Sequence, residues 1–144
     1  MALQFLLDTN VVSELTKAVP NPALVTMLQR HEAECAISAP TVEELAFGCA
    51  RLPAGVRRAW FRTWIDGLVG RTRVLPYDLR AAAWLGEERA RMAGIGRPAP
   101  RTDGEIAAIA VSNGLTLVTR NTKDFEGFAG LVLQDWFSGD EPAR

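Results

Sequence analysis

LQFLLDTN, residues 3–10, is the stretch that decides the fold. A short apolar run, Leu3–Leu7, is halted by a polar turn. That pattern suits a strand buried on both faces of a parallel sheet. Asp8 follows at once, and Asn10 stands where it can cap a helix beginning at Val11. A strand that empties through a polar turn into a helix is the opening half of a βαβ unit.

Working outward, Ala36–Ala39, Arg73–Pro76 and Leu115–Thr119 read as further strands, with Leu131–Leu133 as a last edge strand. Helical patterns lie between them. Asn21-Pro22 opens one that runs to about His31, with proline in its first turn. Val42–Leu52 is ended by Pro53. Gly55–Val69 carries Trp60, Phe61, Trp64, Ile65 and Leu68 at helical spacing. Leu79–Ala93 places Leu79, Ala82, Ala83, Gly86, Ala90 and Ala93 on one narrow face that would admit another helix closely. Asp103–Ser112 is the last, reached through a Gly/Pro-rich loop, Gly94–Arg101. The alternation predicts a single α/β domain over residues 1–144 with a mostly parallel sheet, which the family resemblance given below makes a three-layer α/β/α sandwich with a short sheet.

Composition limits the chemistry. The 144 residues are 48% hydrophobic and 23% charged, a globular balance. Sixteen Lys and Arg against seventeen Asp and Glu give a net charge of −1, so the chain is no generally basic nucleic-acid coat. No apolar run reaches a membrane span, and Asp8 comes too early for a signal peptide, so a cytoplasmic location is expected. Cys35 and Cys49 make no CxxC and read as reduced core residues. With one histidine, His31, a His-rich zinc site is excluded.

Carboxylates remain, and they gather at strand-to-helix turns. Asp8 sits in LLDTN, Glu43 and Glu44 in SAPTVEEL, Asp103 in RTDGEIAAIA, and Asn121 and Asp124 in TRNTKDF. Each acid alone is explicable as helix-end chemistry. Thr41-x-x-Glu44 and Thr102-x-x-Glu105 both fit a capping box, and Glu105 is assigned to the cap. As a set they are different, because like charges within a few ångströms oppose one another unless a cation sits among them. Oxygen-only donors suit Mg²⁺ or Mn²⁺. Such an ion would polarise a phosphate and generate the attacking hydroxide, which points to phosphodiester hydrolysis rather than acyl transfer.

LLDTNVVSEL, SAPTVEELAFGCARLP and RTDGEIAAIAVSNGLTLVTRNTKDF, in that order, closely resemble the PIN-domain family. Within it they are most similar to the toxin nucleases called VapC, in the FitB-like branch. LPAGVRRAW and VLPYD extend the resemblance over nearly the whole chain. The resemblance implies Mg²⁺- or Mn²⁺-dependent RNA hydrolysis, a homodimer and neutralisation by a small co-encoded antitoxin, with higher-order assembly in its presence. Residue by residue, Asp8, Glu44 and Asp103 match the family's first three acids, and Thr119 matches a polar supporting position, as Asn10 does beside Asp8. The fourth acid falls where this chain has Asn121, a departure that leaves either Asn121 or Asp124 at that corner. Glu43 is the alternative to Glu44.

The expected function is thus an endoribonuclease toxin acting on RNA, a transfer or ribosomal RNA among the candidates. A PIN fold that has lost activity and only binds RNA or protein is the alternative. A receiver-like signalling module is a lesser one, because the first strand delivers a single Asp. His31 is expected as a solvated partner of its helix dipole. The tryptophans are expected in the core or at subunit interfaces, Trp84 at an interface. Among the arginines at 57, 58, 62, 80, 91 and 97 most are expected to be solvated, while Arg120 and Lys123 are expected to approach substrate.

Overall fold

The computed structural model describes residues 2–138. Five short strands, β1 (Phe5–Leu7), β2 (Cys35–Ser38), β3 (Arg73–Leu75), β4 (Thr116–Val118) and β5 (Leu133–Gln134), form one sheet in the order β3-β2-β1-β4-β5. Every neighbouring pair is parallel, and Leu6 lies level with both Ala36 and Leu117. The helices are α1 (Thr9–Glu14), α2 (Pro22–His31), α3 (Ala39–Ala50), α4 (Val56–Arg71), α5 (Leu79–Gly94), α6 (Arg101–Ser112) and α7 (Thr122–Phe125).

Strand alternation divides the core into two layers. Leu6, Ala36, Leu75 and Leu117 face one side, where they meet Ala81, Leu85 and Met92 of α5 and Ile106, Ala107, Ile109 and Ala110 of α6. Phe5, Leu7, Ile37 and Val118 face the other. There they meet Val11 and Val12 of α1, Leu24 and Met27 of α2, Leu68 of α4, and Trp136. The sandwich expected from the sequence is therefore present, with its central strand buried on both faces.

Three helix starts differ from expectation, each for a local reason. α1 begins at Thr9 rather than Val11, because the Asp8 carboxylate itself accepts the Thr9 N–H at 2.8 Å and takes the cap from Asn10. α3 begins at Ala39, since Pro40 suits a first turn and the Ser38 hydroxyl accepts the Thr41 N–H at 3.2 Å. The Thr41–Glu44 capping box is thus not formed, and Glu44 is left free for other partners. α6 begins at Arg101 behind Pro100 with no side-chain cap bond, so the Thr102–Glu105 box is absent as well. Glu105 instead approaches Arg101 at 3.8 Å.

On α5 the narrow small-residue face turns outward: Leu79 is 85% exposed, and Ala83, Gly86, Ala90 and Ala93 are exposed with it. Ala81, Leu85, Glu88 and Met92 face the core. Burial rewards apolar volume, which Leu85 and Met92 supply and the alanine stripe does not. Close helix approach comes from the other partner, because a Cβ at Gly104 of α6 would stand 3.0 Å from Leu85 Cδ1. Trp84 is half-buried and packs against this core beside Phe128, with ring centres 6.3 Å apart.

His31 is buried rather than solvated. Its ring meets Phe5 edge-on at 5.0 Å, and its Nδ1 lies 3.1 Å from Glu34. Cys35 and Cys49 are free thiols, as expected, and burial pushes the Cys35 thiol up to about 12, where it is inert at neutral pH. Among the described residues no helix is long and apolar enough to cross a membrane.

The facing of α5 has a direct test in urea denaturation. Leu85→Ala is expected to cost about 2–5 kcal/mol, while Leu79→Ala should stay within about 0.5 kcal/mol of the parent.

Candidate active site

β1, β2 and β3 step across the sheet in one direction, and β4 and β5 lie on the far side of β1. The order therefore reverses between β1 and β4, which opens a crevice beyond the carboxyl ends of those strands. Asp8 and Thr119 are the first residues past the two strand ends there, and the Asp8 N–H donates to the Val118 carbonyl at 2.9 Å. Around them an open cleft of about 480 Å³ is lined by Asp8, Asn10, Glu44, Asp103, Asn121 and Asp124, among others.

Asp8 is 6% exposed and held from three sides. Its Oδ1 accepts the Thr9 N–H; its Oδ2 accepts the Thr119 hydroxyl at 2.8 Å and the Asn10 amide at 3.2 Å. Asn10 spans the crevice, donating also to Thr119 Oγ1 at 3.3 Å and accepting the Arg120 N–H at 3.2 Å. Thr119 Oγ1 in turn accepts the Asn121 N–H at 3.1 Å. Asn10 and Thr119 thus fix the rotamer of Asp8 and join the loop after β4 to the start of α1. Each Asp8 oxygen keeps lone-pair capacity toward the cleft.

Glu44 projects from α3 and accepts the Thr9 hydroxyl at 2.5 Å, a short charge-assisted bond. With its single proton given to Glu44, the Thr9 hydroxyl accepts from the Thr41 hydroxyl 3.1 Å away, so α1 and α3 are pinned together at the cleft. Glu43, one residue away, does not line the cleft. Asp103 stands in the first turn of α6. Asp124 lies on α7, whose N-terminal flank is Asn121.

The charges show how closely these acids gather. Burial raises Asp8 above the ordinary carboxylate range; the bonds from Thr119 and Thr9 oppose that, and the charges of Glu44 and Asp124 add to it. Asp103 is pushed up to about 6, by burial first and then by Asp8, Asp124 and Glu44. Asp124 therefore brings a negative charge to the fourth corner, and Asn121 a neutral amide on the same rim. Among the described residues no three His, Cys, Asp or Glu side chains stand close enough together to hold a metal ion as they are placed. The acids share the lining of one open cleft.

Sequence reasoning missed Thr9, Ser13, Phe125 and two charged members of the cleft. Glu14 is 6% exposed and Lys17 follows it three residues on; both line the same cavity. Glu14 lies inside LLDTNVVSEL, six residues beyond Asp8, and an acid between Val12 and Leu15 on an apolar helix was the available signal. Arg120 lines the cleft as expected, whereas Lys123 does not.

Known proteins resemble this chain along most of its length. The PIN domain family model matches residues 5–131. The VapC ribonuclease Y4jK of Sinorhizobium fredii is 42% identical over 144 residues, covering 95% of this chain and 98% of that protein. The tRNA(fMet)-specific endonuclease VapC of Shigella flexneri is 37% identical, covering 93% and 98%. The crystal structure of FitAcB from Neisseria gonorrhoeae superposes with a TM-score of 0.85 at 31% identity, covering 94% of this chain and 99% of that one.

A carboxyl whose pKa is higher in the folded than in the unfolded chain binds its proton more tightly when folded. Asp103 therefore favours folding fully below about pH 4, and that contribution is lost as the pH rises from its ordinary value of 3.8 through about 6. In metal-free buffer Asp103→Asn should raise the thermal midpoint at pH 7.5 and give no gain at pH 3.5. An equal gain at both pH values would remove the ionisation of the buried Asp103 beside its neighbouring acids as its cause.

Proposed function

The chain belongs to the PIN-domain family, and on that premise we propose that it is a metal-dependent endoribonuclease, the toxin of a type II toxin–antitoxin pair. The observation that carries the reading is the convergence of Asp8, Glu44, Asp103 and Asp124 on one cleft at the sheet's switch point, with two of them raised above their ordinary pKa by burial first and then by the other acids. A site that holds like charges together at the expense of stability is built for a cation.

The donor set fits Mg²⁺ or Mn²⁺. It is all oxygen, it is open, and it leaves room for water and phosphate oxygens, which these hard ions keep in their coordination. Asp8 and Asp103 would hold the ion, with Glu44 holding it or positioning a second ion or a water. Bound there, the ion supplies polarisation of the scissile phosphate and a water of lowered pKa.

The chain's own residues do the rest. Thr119 and Asn10 hold Asp8 Oδ2 and the Thr9 N–H holds Oδ1, while the Thr9 hydroxyl fixes the reach of Glu44. Asp124 completes the charge that Asn121 lacks, and Asn121 offers an amide to a water or to a ribose hydroxyl. Attack by water at phosphorus, in line with a departing ribose O3′, breaks the P–O3′ bond and leaves 5′-phosphate and, once O3′ is protonated, 3′-hydroxyl ends.

A transfer RNA is the substrate class that the tRNA(fMet)-specific relative favours. We further propose that the single domain acts in the cytoplasm as a homodimer. A co-encoded antitoxin would silence it by setting a basic side chain among these acids, with higher-order assembly in its presence.

The test is cleavage of an initiator-tRNA transcript with Mg²⁺ or Mn²⁺ and with EDTA. Asp8→Asn and Asp103→Asn should abolish the activity, and Asn10→Ala should lower it about 10–100-fold as the loss of an outer support. Metal-independent cleavage, or full activity in both Asp variants, would sink the mechanism. Mn²⁺ should also raise the melting temperature of the wild-type chain. That shift should shrink as the pH falls below about 6, where the ion must displace the Asp103 proton.

A further inference from the structure

The cleft has a second pole. Glu14, at the end of α1, is nearly buried and accepts the Asn21 N–H at 2.9 Å. Its other oxygen takes Lys17 Nζ at 2.8 Å and has an Arg120 guanidinium nitrogen 3.9 Å away. These partners hold the Glu14 carboxyl below its ordinary range, the Lys17 bond contributing most. Glu14 therefore stays ionised and works as an anchor for two cations.

Arg120 is fixed further by lying over the Phe137 ring, 4.7 Å from its centre, and by the Asn10 bond to its main-chain N–H. An arginine carries five donors in a planar fork. Here one loose ion pair and a ring face orient the fork, and its side chain stays 54% exposed at the cleft wall.

Neither cation pairs with Asp8, Glu44, Asp103 or Asp124; among the described residues both ion pairs run to Glu14. Their placement is thus not explained as neutralisation of the acid ring. An RNA strand that presents one phosphate to that ring must bring its neighbouring phosphates past a surface of the same sign. Cations at the other end of the cleft relieve that repulsion. Resting on the ribonuclease reading of this cleft, we infer that Arg120 and Lys17 grip a phosphate adjacent to the scissile one. Glu14 is the positioning residue that orients both, and the Asp8–Asn10–Arg120 hydrogen-bond chain sets the spacing between grip and acid ring.

The experiment is single-turnover cleavage of 5′-labelled bulk bacterial tRNA in Mn²⁺ by the full-length chain. It is read as the half-saturating enzyme concentration and the limiting rate at several salt concentrations. Arg120→Ala and Lys17→Ala should each raise half-saturation about tenfold, as expected for a lost charge-assisted contact. Each should also lessen the salt dependence by about 0.7 in log–log slope. Limiting rates and the Mn²⁺-induced melting shift should stay near those of the parent.

Arg120→Lys should recover part of the affinity, and Arg62→Ala, on exposed α4 surface outside the cleft, should change neither quantity. Glu14→Gln should reproduce the affinity loss; if it fails to fold, the two cation variants decide alone. Wild-type half-saturation and salt slope in both cation variants would overturn the inference while leaving the nuclease intact. Loss of the Mn²⁺ shift in them would overturn it in favour of a support for the acid ring. A wild-type chain that cleaves nothing, or cleaves without metal, would fell the ribonuclease reading and this inference with it.

Discussion

Mutual repulsion among carboxylates at the β1–β4 crevice is the constraint on which the rest of the site depends. Asp8 cannot retreat, because Thr9, Asn10 and Thr119 hold both of its oxygens, and Asp103 is carried toward it on the first turn of α6. A fold that wanted only stability would have placed an amide or a cation there. Instead the backbone delivers negative charge from α1, α3, α6 and α7 to one volume. The compensation lies in the architecture, whose central strand is buried on both faces.

That architecture makes the convergence geometrically simple. In a parallel sheet every strand ends on the same edge, and each turn into a helix exposes one or two side chains to the crevice. With β1 and β4 adjacent and out of sequence order, their outgoing helices diverge and leave the gap open. The residues that fill the rim are therefore those immediately after the strands, Asp8 and Thr119, and those in the first turns beyond. α3 reaches the same gap because Ser38 and Pro40 start it early, which swings Glu44 toward Thr9.

The polar chain from Asp8 through Asn10 to Arg120 gives the site its second property, a charge gradient. At one end four acids face one another; at the other, Lys17 and Arg120 stand on a buried Glu14. The near-zero net charge of the molecule thus hides a local separation of sign, which is what recognition of a phosphate backbone beside an acidic metal site requires.

The sequence by itself determined the fold class, the parallel sheet and every helix but the short α7. All of these follow from local period and from residues that sit next to strand ends. Its errors were also local in kind. Capping boxes at Thr41 and Thr102 lost to better-placed caps or to proline. On α5 the stripe of small residues turned out to face outward, because burial selects volume. His31 was taken for a solvated residue because nothing in its neighbours shows that Phe5 and Trp136 close over it. Which acids actually meet, that Asp124 adds charge where Asn121 has none, and that Glu14 anchors two cations were decided only in the tertiary structure. Those facts depend on distances between residues far apart in the chain, such as the 111 positions separating Asp8 from Thr119. No local pattern carries a distance of that kind; packing of the helices on the sheet supplies it.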